Sequence, residues 1–408
     1  MKQLAISPLA PASFPLLPNI AGMNAATYSL GMYKSDRDDL IVVSFEDGAS
    51  VGGALTKSNT RSCDVDWCIG ALKSGLAKGL VVNAGNSNAF TGAAGIAKND
   101  ATLAKFCELS GAKPENIFLS ATGVIGVPVA ADLISSKLDA IWPNLSKPNW
   151  EKLAKAIATT DTFIKGFGKT IEIDGQKINI AGIAKGSGMI APNMATMLVY
   201  IFTDAKISSA LLQKMVSQYV ETTFNAITVD SDTSTSDTLL VFATNKAGNE
   251  IVENSAASRV FADALNECML DLALQVVKDG EGAQKFIEVK VAGAISVSSA
   301  KIIAMAIANS PLVKTAIAGG DANWGRVAMA VGKCLEPINA DKLSIKFCGQ
   351  WVAKNGGAAI YDEGEINKLM AGTDIEIFVD VGMGKSEFTA YTCDLTHGYI
   401  SINGDYRS

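Results

Sequence analysis

The sequence predicts an α/β layered sandwich built from two intimately packed halves. Three observations carry that expectation. The chain has 408 residues, more than one ordinary small domain needs. Hydrophobic residues make up 48% and charged residues 19%, which is ample apolar material for a large core. Strand-like and helix-like runs are grouped rather than strictly alternating, and grouping favours stacked layers over a doubly wound sheet.

Short β-prone runs at 40–45 (LIVVSF), 80–82 and 116–120 (NIFLS) read as strands. Two of them lead into small-residue segments, NAGNSNA at 83–89 and ATGVIG at 121–126. Such segments are expected to be loops that expose backbone N–H groups, because no bulky Cβ blocks approach. Residues 148–165 read as a helix. Alternation at 170–173 and 177–183 around Asp174-Gly175 predicts a hairpin. A glycine-rich loop at 185–195 then runs into 196–204 (TMLVYIFTD), apolar and β-prone enough for a buried central strand. A helix over about 208–224, a polar turn at 230–237 and a strand at 238–243 follow. The second half carries helices near 255–279 and 298–318 and strands at 286–291, 343–347 and 374–379. There is no fixed-period repeat, low-complexity tract or Pro/Gly/Ser-rich linker, so the division between the halves is compact.

Several function classes drop out on composition. A net charge of −6 argues against nucleic acid as partner, since phosphate binding needs a Lys/Arg surplus. No apolar run approaches the length of a membrane span. The stretch 1–22 is apolar but broken by Pro8, Pro11, Pro15 and Pro18 and lacks a basic start, so it reads poorly as a signal or transit peptide. The 7 cysteines are scattered without a CxxC, as expected of reduced thiols in a cytoplasmic protein. His397 is the only histidine, which excludes any site built on two. A Ser-His-Asp or Cys-His mechanism would have to pass through it; a solvated or packed histidine in a C-terminal turn is the plainer account.

Gly168-Lys169-Thr170 has the ending of a phosphate loop, but Phe163 stands where the first glycine of that pattern belongs, and the preceding segment reads as helix rather than strand. That reading is rejected. Gly280, directly after a helix, is expected to be its glycine cap. The segment 185–204 admits two readings. It is either a glycine-rich turn feeding a core strand, or a strained turn that presents a carbonyl to the hydroxyl of Thr196. In the second case the resulting ester hydrolyses and leaves a chain beginning with Thr196, whose free α-amine has an unperturbed pKa of about 8. That amine can take the proton from its own Oγ, so the nucleophile carries its base and needs no histidine.

The run Lys185-Gly186-Ser187-Gly188-Met189-Ile190-Ala191-Pro192-Asn193-Met194-Ala195-Thr196-Met197-Leu198 resembles the self-cleavage segment of the ornithine acetyltransferase (glutamate N-acetyltransferase) family. Further blocks resemble the family in the same order along nearly the whole chain. They are NAGNSNA at 83–89 with Thr91-Gly92, TGVIG at 122–126, TTDT at 159–162, VDSDTSTSDT at 229–238, GDANWGR at 320–326 and the ending INGDYRS at 402–408. Residues 54–68 follow the family only loosely and the N-terminal stretch is divergent. Ala84 stands where Ser is usual, and Ser408 where Thr is common, which keeps a hydroxyl at the end.

The resemblance implies a fold of the self-processing N-terminal-nucleophile-like type, cut between Ala195 and Thr196 into an alpha chain (1–195) and a beta chain (196–408). It implies that Thr196 accepts acetyl from N2-acetylornithine and passes it to glutamate by ping-pong chemistry, in arginine biosynthesis. Thr122 and Gly123 match the oxyanion-hole positions. Lys185, Thr159, Glu281, Asn403 and Ser408 match substrate-contacting positions, with Lys185 for the α-carboxylate and a carboxylate, Glu281 with Glu288 and Glu267 as alternatives, for the ornithine side chain. No metal or organic cofactor is implied, although acetyl-CoA is a candidate second donor. The implied assembly is a heterotetramer of two alpha and two beta chains. The rival readings are a self-processing aminopeptidase or amidase, in which water accepts the acyl group, and a binding protein that has lost the chemistry.

Overall fold

The computed structural model describes residues 5–191 and 197–405. Two sheets organise it. The larger contains β1 (Met23–Tyr28), β2 (Leu40–Leu55), β3 (Leu76–Asn86), β4 (Ile117–Val124), β5 (Lys165–Ile173), β6 (Gln176–Lys185), β7 (Leu198–Ile207) and β8 (Thr238–Ile251). Its order is β4-β3-β2-β8-β7-β6-β5, with β1 laid against β2. The smaller contains β9 (Phe286–Ala294), β10 (Ser344–Phe347), β11 (Gln350–Lys354), β12 (Gly357–Ala358), β13 (Asp374–Asp380) and β14 (Ser386–Cys393), in the order β12-β11-β10-β13-β9-β14.

Helices α1 (Cys63–Ala71), α2 (Gly92–Ser110), α3 (Ser135–Ile141), α4 (Trp150–Ile157), α5 (Ser209–Tyr219) and α6 (Ala256–Lys278) cover the larger sheet. The smaller sheet is packed by α7 (Val297–Ala308), α8 (Pro311–Ala318) and α9 (Trp324–Lys333), and α10 (Glu363–Met370) and α11 (His397–Asp405) complete the chain. β7 shows why its sequence is continuously apolar. Leu198, Tyr200 and Phe202 join the core around Trp150 and Leu153 of α4, while Val199 and Ile201 join the core under α5 and α6. A strand buried on both faces has no polar side to alternate. The same α6 core takes in Phe286 and Cys393, and Ile227 bridges to Tyr391, so the second sheet docks through α6 and β14. Among the described residues no single helix is long and apolar enough to cross a membrane.

The layered α/β architecture with packed halves is the one expected, and four local expectations need correction. The helix expected over 148–165 is only Trp150–Ile157. Asn149 caps its start at Lys152 N, and past its end the Asp161 carboxylate takes the Thr159 N–H at 2.9 Å. A side chain that bonds nearby backbone competes with the next helical turn. The helix expected over 298–318 breaks before Pro311, which cannot donate a helical hydrogen bond; Ser310 caps a new start at Val313 N. The small-residue segments begin as strand, since β3 and β4 pair in parallel from Gly79↔Ile117 to Gly85↔Gly123. Gly280 is not a left-handed cap, because α6 ends at Lys278 with Asp279 as its C-cap and Gly280 lacks a positive φ. It is required by packing instead: a Cβ there would lie 2.6 Å from Cys393 Sγ.

Gly168-Lys169-Thr170 lies within β5, as the rejection of a phosphate loop requires. His397 is exposed at the start of α11, and all 7 cysteines are free.

Candidate active site

The site lies where β4, β6 and β7 end or begin. Lys185 closes β6 and pairs with Leu198 of β7. Its side chain is buried (3% exposed), and Nζ reaches Thr122 Oγ1 on β4 at 3.3 Å. An ammonium has donors only, so the Thr122 oxygen must accept, and its own O–H remains for another acceptor. Gly123 beside it has φ 127°, and a Cβ there would sit 2.4 Å from the Gly85 carbonyl carbon. No other residue type fits that crossing.

Beyond Lys185 several backbone groups are tied down. Gly186 N donates to Asp161 Oδ1 at 2.8 Å, and the Ser187 carbonyl accepts from Glu281 N at 2.9 Å. The hydroxyls of Ser187 and Thr160 meet at 2.6 Å. Met189 takes a positive φ of 59°. The N–H groups of Met189 and Ile190 donate to the two oxygens of Asp230 at 2.6 and 2.8 Å, and Val229 N donates to the Ile190 carbonyl. On the far side of 192–196, Met197 N donates to Asp237 Oδ1 at 3.0 Å, and its carbonyl accepts from Thr238 N. Two carboxylates of one polar turn therefore hold both flanks of the segment that contains Ala195 and Thr196. Those two residues, and Ser408, lie outside the described residues.

The opposite wall comes from the loop after α6 and from α11. Glu281 is 8% exposed, and its Oε2 accepts from Asn403 Nδ2 at 2.6 Å. Gly188 faces it so closely that a Cβ would meet Oε2 at 2.5 Å. Glu267 pairs instead with Lys169 at the surface, and Glu288 sits within β9. Thr122, Gly123, Thr159, Lys185, Glu281 and Asn403 together line one cleft of about 200 Å³. All the described residues singled out from sequence thus converge. Ser87, Ile125, Thr160, Gly188, Met189, Ser234, Thr235 and Ser236 complete the lining and were not singled out, although they lie in the blocks that carried the resemblance.

The electrostatics follow from burial. Burial lowers the proton affinity of Lys185 below the ordinary lysine range, with Asp161 the leading charge opposing that fall. Burial pushes the Asp237 carboxyl well above the usual range despite the Met197 N–H, and its Oδ2 finds no hydrogen-bond partner among the described residues. Asp230 is likewise raised by burial against its backbone donors. The cleft offers a hydroxyl proton, a cation and a carboxylate within one small volume. That set suits an acyl group with an amino-acid body.

Comparison with known proteins identifies relatives over nearly the whole chain. The model of the ArgJ family matches residues 24–408. A protein of Zymomonas mobilis subsp. mobilis named arginine biosynthesis bifunctional protein ArgJ is 51% identical over 406 residues, covering 99% of each chain. Proteins of the same name from Ruegeria pomeroyi and Agrobacterium fabrum are 50% and 49% identical, covering 99% of this chain and 98% and 100% of theirs.

Proposed function

The chain belongs to the ArgJ family, and on that premise we propose that it is a glutamate N-acetyltransferase of arginine biosynthesis whose nucleophile is Thr196. One observation carries the reading: the six described residues expected to serve oxyanion and substrate line a single cleft beside the strand that Thr196 would lead.

The proposed sequence starts with self-cleavage. Thr196 Oγ attacks the Ala195 carbonyl, the C–N bond breaks as the amine takes a proton, and water hydrolyses the ester. The products are chains 1–195 and 196–408, the second with a free α-amine of pKa about 8. That amine accepts the Oγ proton as Thr196 attacks the acetyl carbonyl of N2-acetylornithine. Thr122 O–H and the Gly123 backbone stabilise the oxyanion. Ornithine leaves with the proton, and the glutamate amine attacks the acetyl-Thr196 ester to give N-acetylglutamate. Lys185 faces the α-carboxylate that both amino acids carry. Glu281, oriented by Asn403, suits the ornithine ammonium, and Thr159 and Ser408 are the further substrate contacts. Acetyl-CoA as second donor would reach the same acetyl-enzyme, which gives a chemical meaning to the word bifunctional in the relatives' name. No organic cofactor enters the reading. An assembly of two alpha and two beta chains in the cytoplasm completes it.

The experiment is acetyl transfer from N2-acetylornithine with and without glutamate, on wild type and Thr196→Ala, with intact masses of both. The expected result is two chains and glutamate-dependent N-acetylglutamate from the wild type, and one inert chain from the variant. Free acetate at the same rate without glutamate would replace the reading with a hydrolase.

A further inference from the structure

An ammonium fully removed from solvent joins the separate pieces of the cleft. The Lys165 side chain is 0% exposed, and its Nζ lies 2.6 Å from Asp161 Oδ1, 2.5 Å from Asp279 Oδ2 and 3.2 Å from the Phe163 carbonyl. Both carboxylates are themselves buried and carry further bonds. Asp161 accepts from Thr159 N through Oδ2 and from Gly186 N through Oδ1. Asp279 accepts from Thr162 N and from the Thr162 hydroxyl, and it caps the C-terminus of α6. Thr159 is two residues before Asp161, Lys185 precedes Gly186, and Glu281 is two residues after Asp279. The three cleft residues come from three distant parts of the chain, and each is within two residues of a group this bridge holds.

We propose that Asp161, Lys165 and Asp279 are positioning residues for the amino-acid substrates: their bridge sets the spacing between Lys185, which faces the α-carboxylate, and Glu281, which faces the side-chain ammonium. The inference rests on the acetyl-transfer reading above. It explains why ions are used where well-packed apolar groups would hold the fold equally well. Hydrogen bonds with fixed donors and acceptors set distances that apolar packing leaves loose. Asp161 has a second effect on the same site. Lys185 faces Asp161, Glu281 and Asp237 as opposite charges and Lys165 as a like charge, with Asp161 the largest of the opposite ones. Asp161 therefore both places Lys185 and helps keep it cationic.

The test uses full-length protein and the near-isosteric Asp161→Asn and Asp279→Asn, beside Lys165→Met. Self-cleavage is followed by intact mass, and calorimetry measures the Kd of L-glutamate and L-ornithine between pH 7 and pH 9. Self-cleavage needs no substrate, so it reports an intact fold. Asp161→Asn and Asp279→Asn are expected to cleave, at whatever rate. Loss of one charged hydrogen bond should weaken ligand binding about tenfold. In Asp161→Asn the glutamate Kd should also begin its rise at a lower pH than in wild type. A cleaved Asp161→Asn with wild-type Kd values and pH profile overturns the inference, whether or not Lys165→Met folds. Lowered thermal stability with unchanged Kd also overturns it, as the mark of a merely structural bridge. Wild-type protein that binds neither amino acid overturns the acetyl-transfer reading and this inference with it. Wild-type binding without transfer rejects only the former.

Discussion

Lys185 donates to Thr122 Oγ1 at 3.3 Å, and that contact leaves the threonine's own proton to be donated elsewhere. With its oxygen accepting from Lys185, Thr122 keeps its own O–H to give to a group entering the cleft. Replacing it with the near-isosteric valine removes the donor and keeps the packing. Thr122→Val is expected to lower kcat by about 10²–10³ with a much smaller change in KM, as loss of one oxyanion donor does. Steady-state kinetics with both substrates checks this, and Thr122→Ser should recover most of the loss.

Gly188 and Glu281 stand closer than any side chain at 188 would allow, since a Cβ would meet Oε2 at 2.5 Å. Gly188→Ala should push the carboxylate off the line set by Asn403. The expected outcome is a KM for N2-acetylornithine raised about tenfold, the order of one charge-assisted hydrogen bond, with a smaller effect on glutamate. Equal effects on both substrates would remove Glu281 from ornithine recognition.

The pH dependence of binding has a definite sign. Burial lowers the Lys185 proton affinity, so the lysine loses its charge at lower pH than an exposed lysine does. A neutral amine cannot pair with a carboxylate as an ammonium does. Glutamate KM should therefore rise with increasing pH before pH 10.5 is reached, and Lys185→Arg should flatten that rise because arginine stays charged. A glutamate KM unchanged up to pH 10 would show that Lys185 does not carry the carboxylate.

Asp230 holds Met189 and Ile190 by their N–H groups, ahead of the segment expected to be cut. Asp230→Ala orphans two backbone donors in a mostly buried setting. It should cost about 2 kcal/mol of stability, the order of a lost buried hydrogen-bond partner. Self-cleavage should slow more than the stability loss alone explains, because the turn loses its fixed geometry. Thermal unfolding and an intact-mass time course on freshly folded protein separate the two effects.

Much of this was legible in the sequence, for identifiable reasons. The β5–β6 hairpin announced itself through Asp174-Gly175, and β7 through a run too apolar to face solvent. The cleft residues could be named because they match positions of the family that the chain resembles, most of them within short blocks that stand out in the sequence. Ion bridges leave no such mark: Lys165 looks like any lysine at the end of a helical segment, and only the fold shows it with no solvent and two carboxylates. Asp161 and Asp279 lie 118 residues apart (279 − 161), so no local pattern could join them. The helix expected at 148–165 failed for the same reason. Its final turns were given up to the Asp161 network, which side-chain periodicity does not register.

The order β2-β8-β7-β6 means that two strands from after residue 196 are clasped on both edges by strands from before it. While the chain is whole, that arrangement forms in one unimolecular event. After a cut, the same ladders join two separate molecules, and the covalent tether that brought them together is gone. Cleaved protein that has been unfolded and diluted must find its partner by collision before either half can complete its sheet. Under the proposed cut, maturation on this fold would be a ratchet: the enzyme would become active by discarding its own route back from denaturation, and its lifetime would be set by how slowly it unfolds.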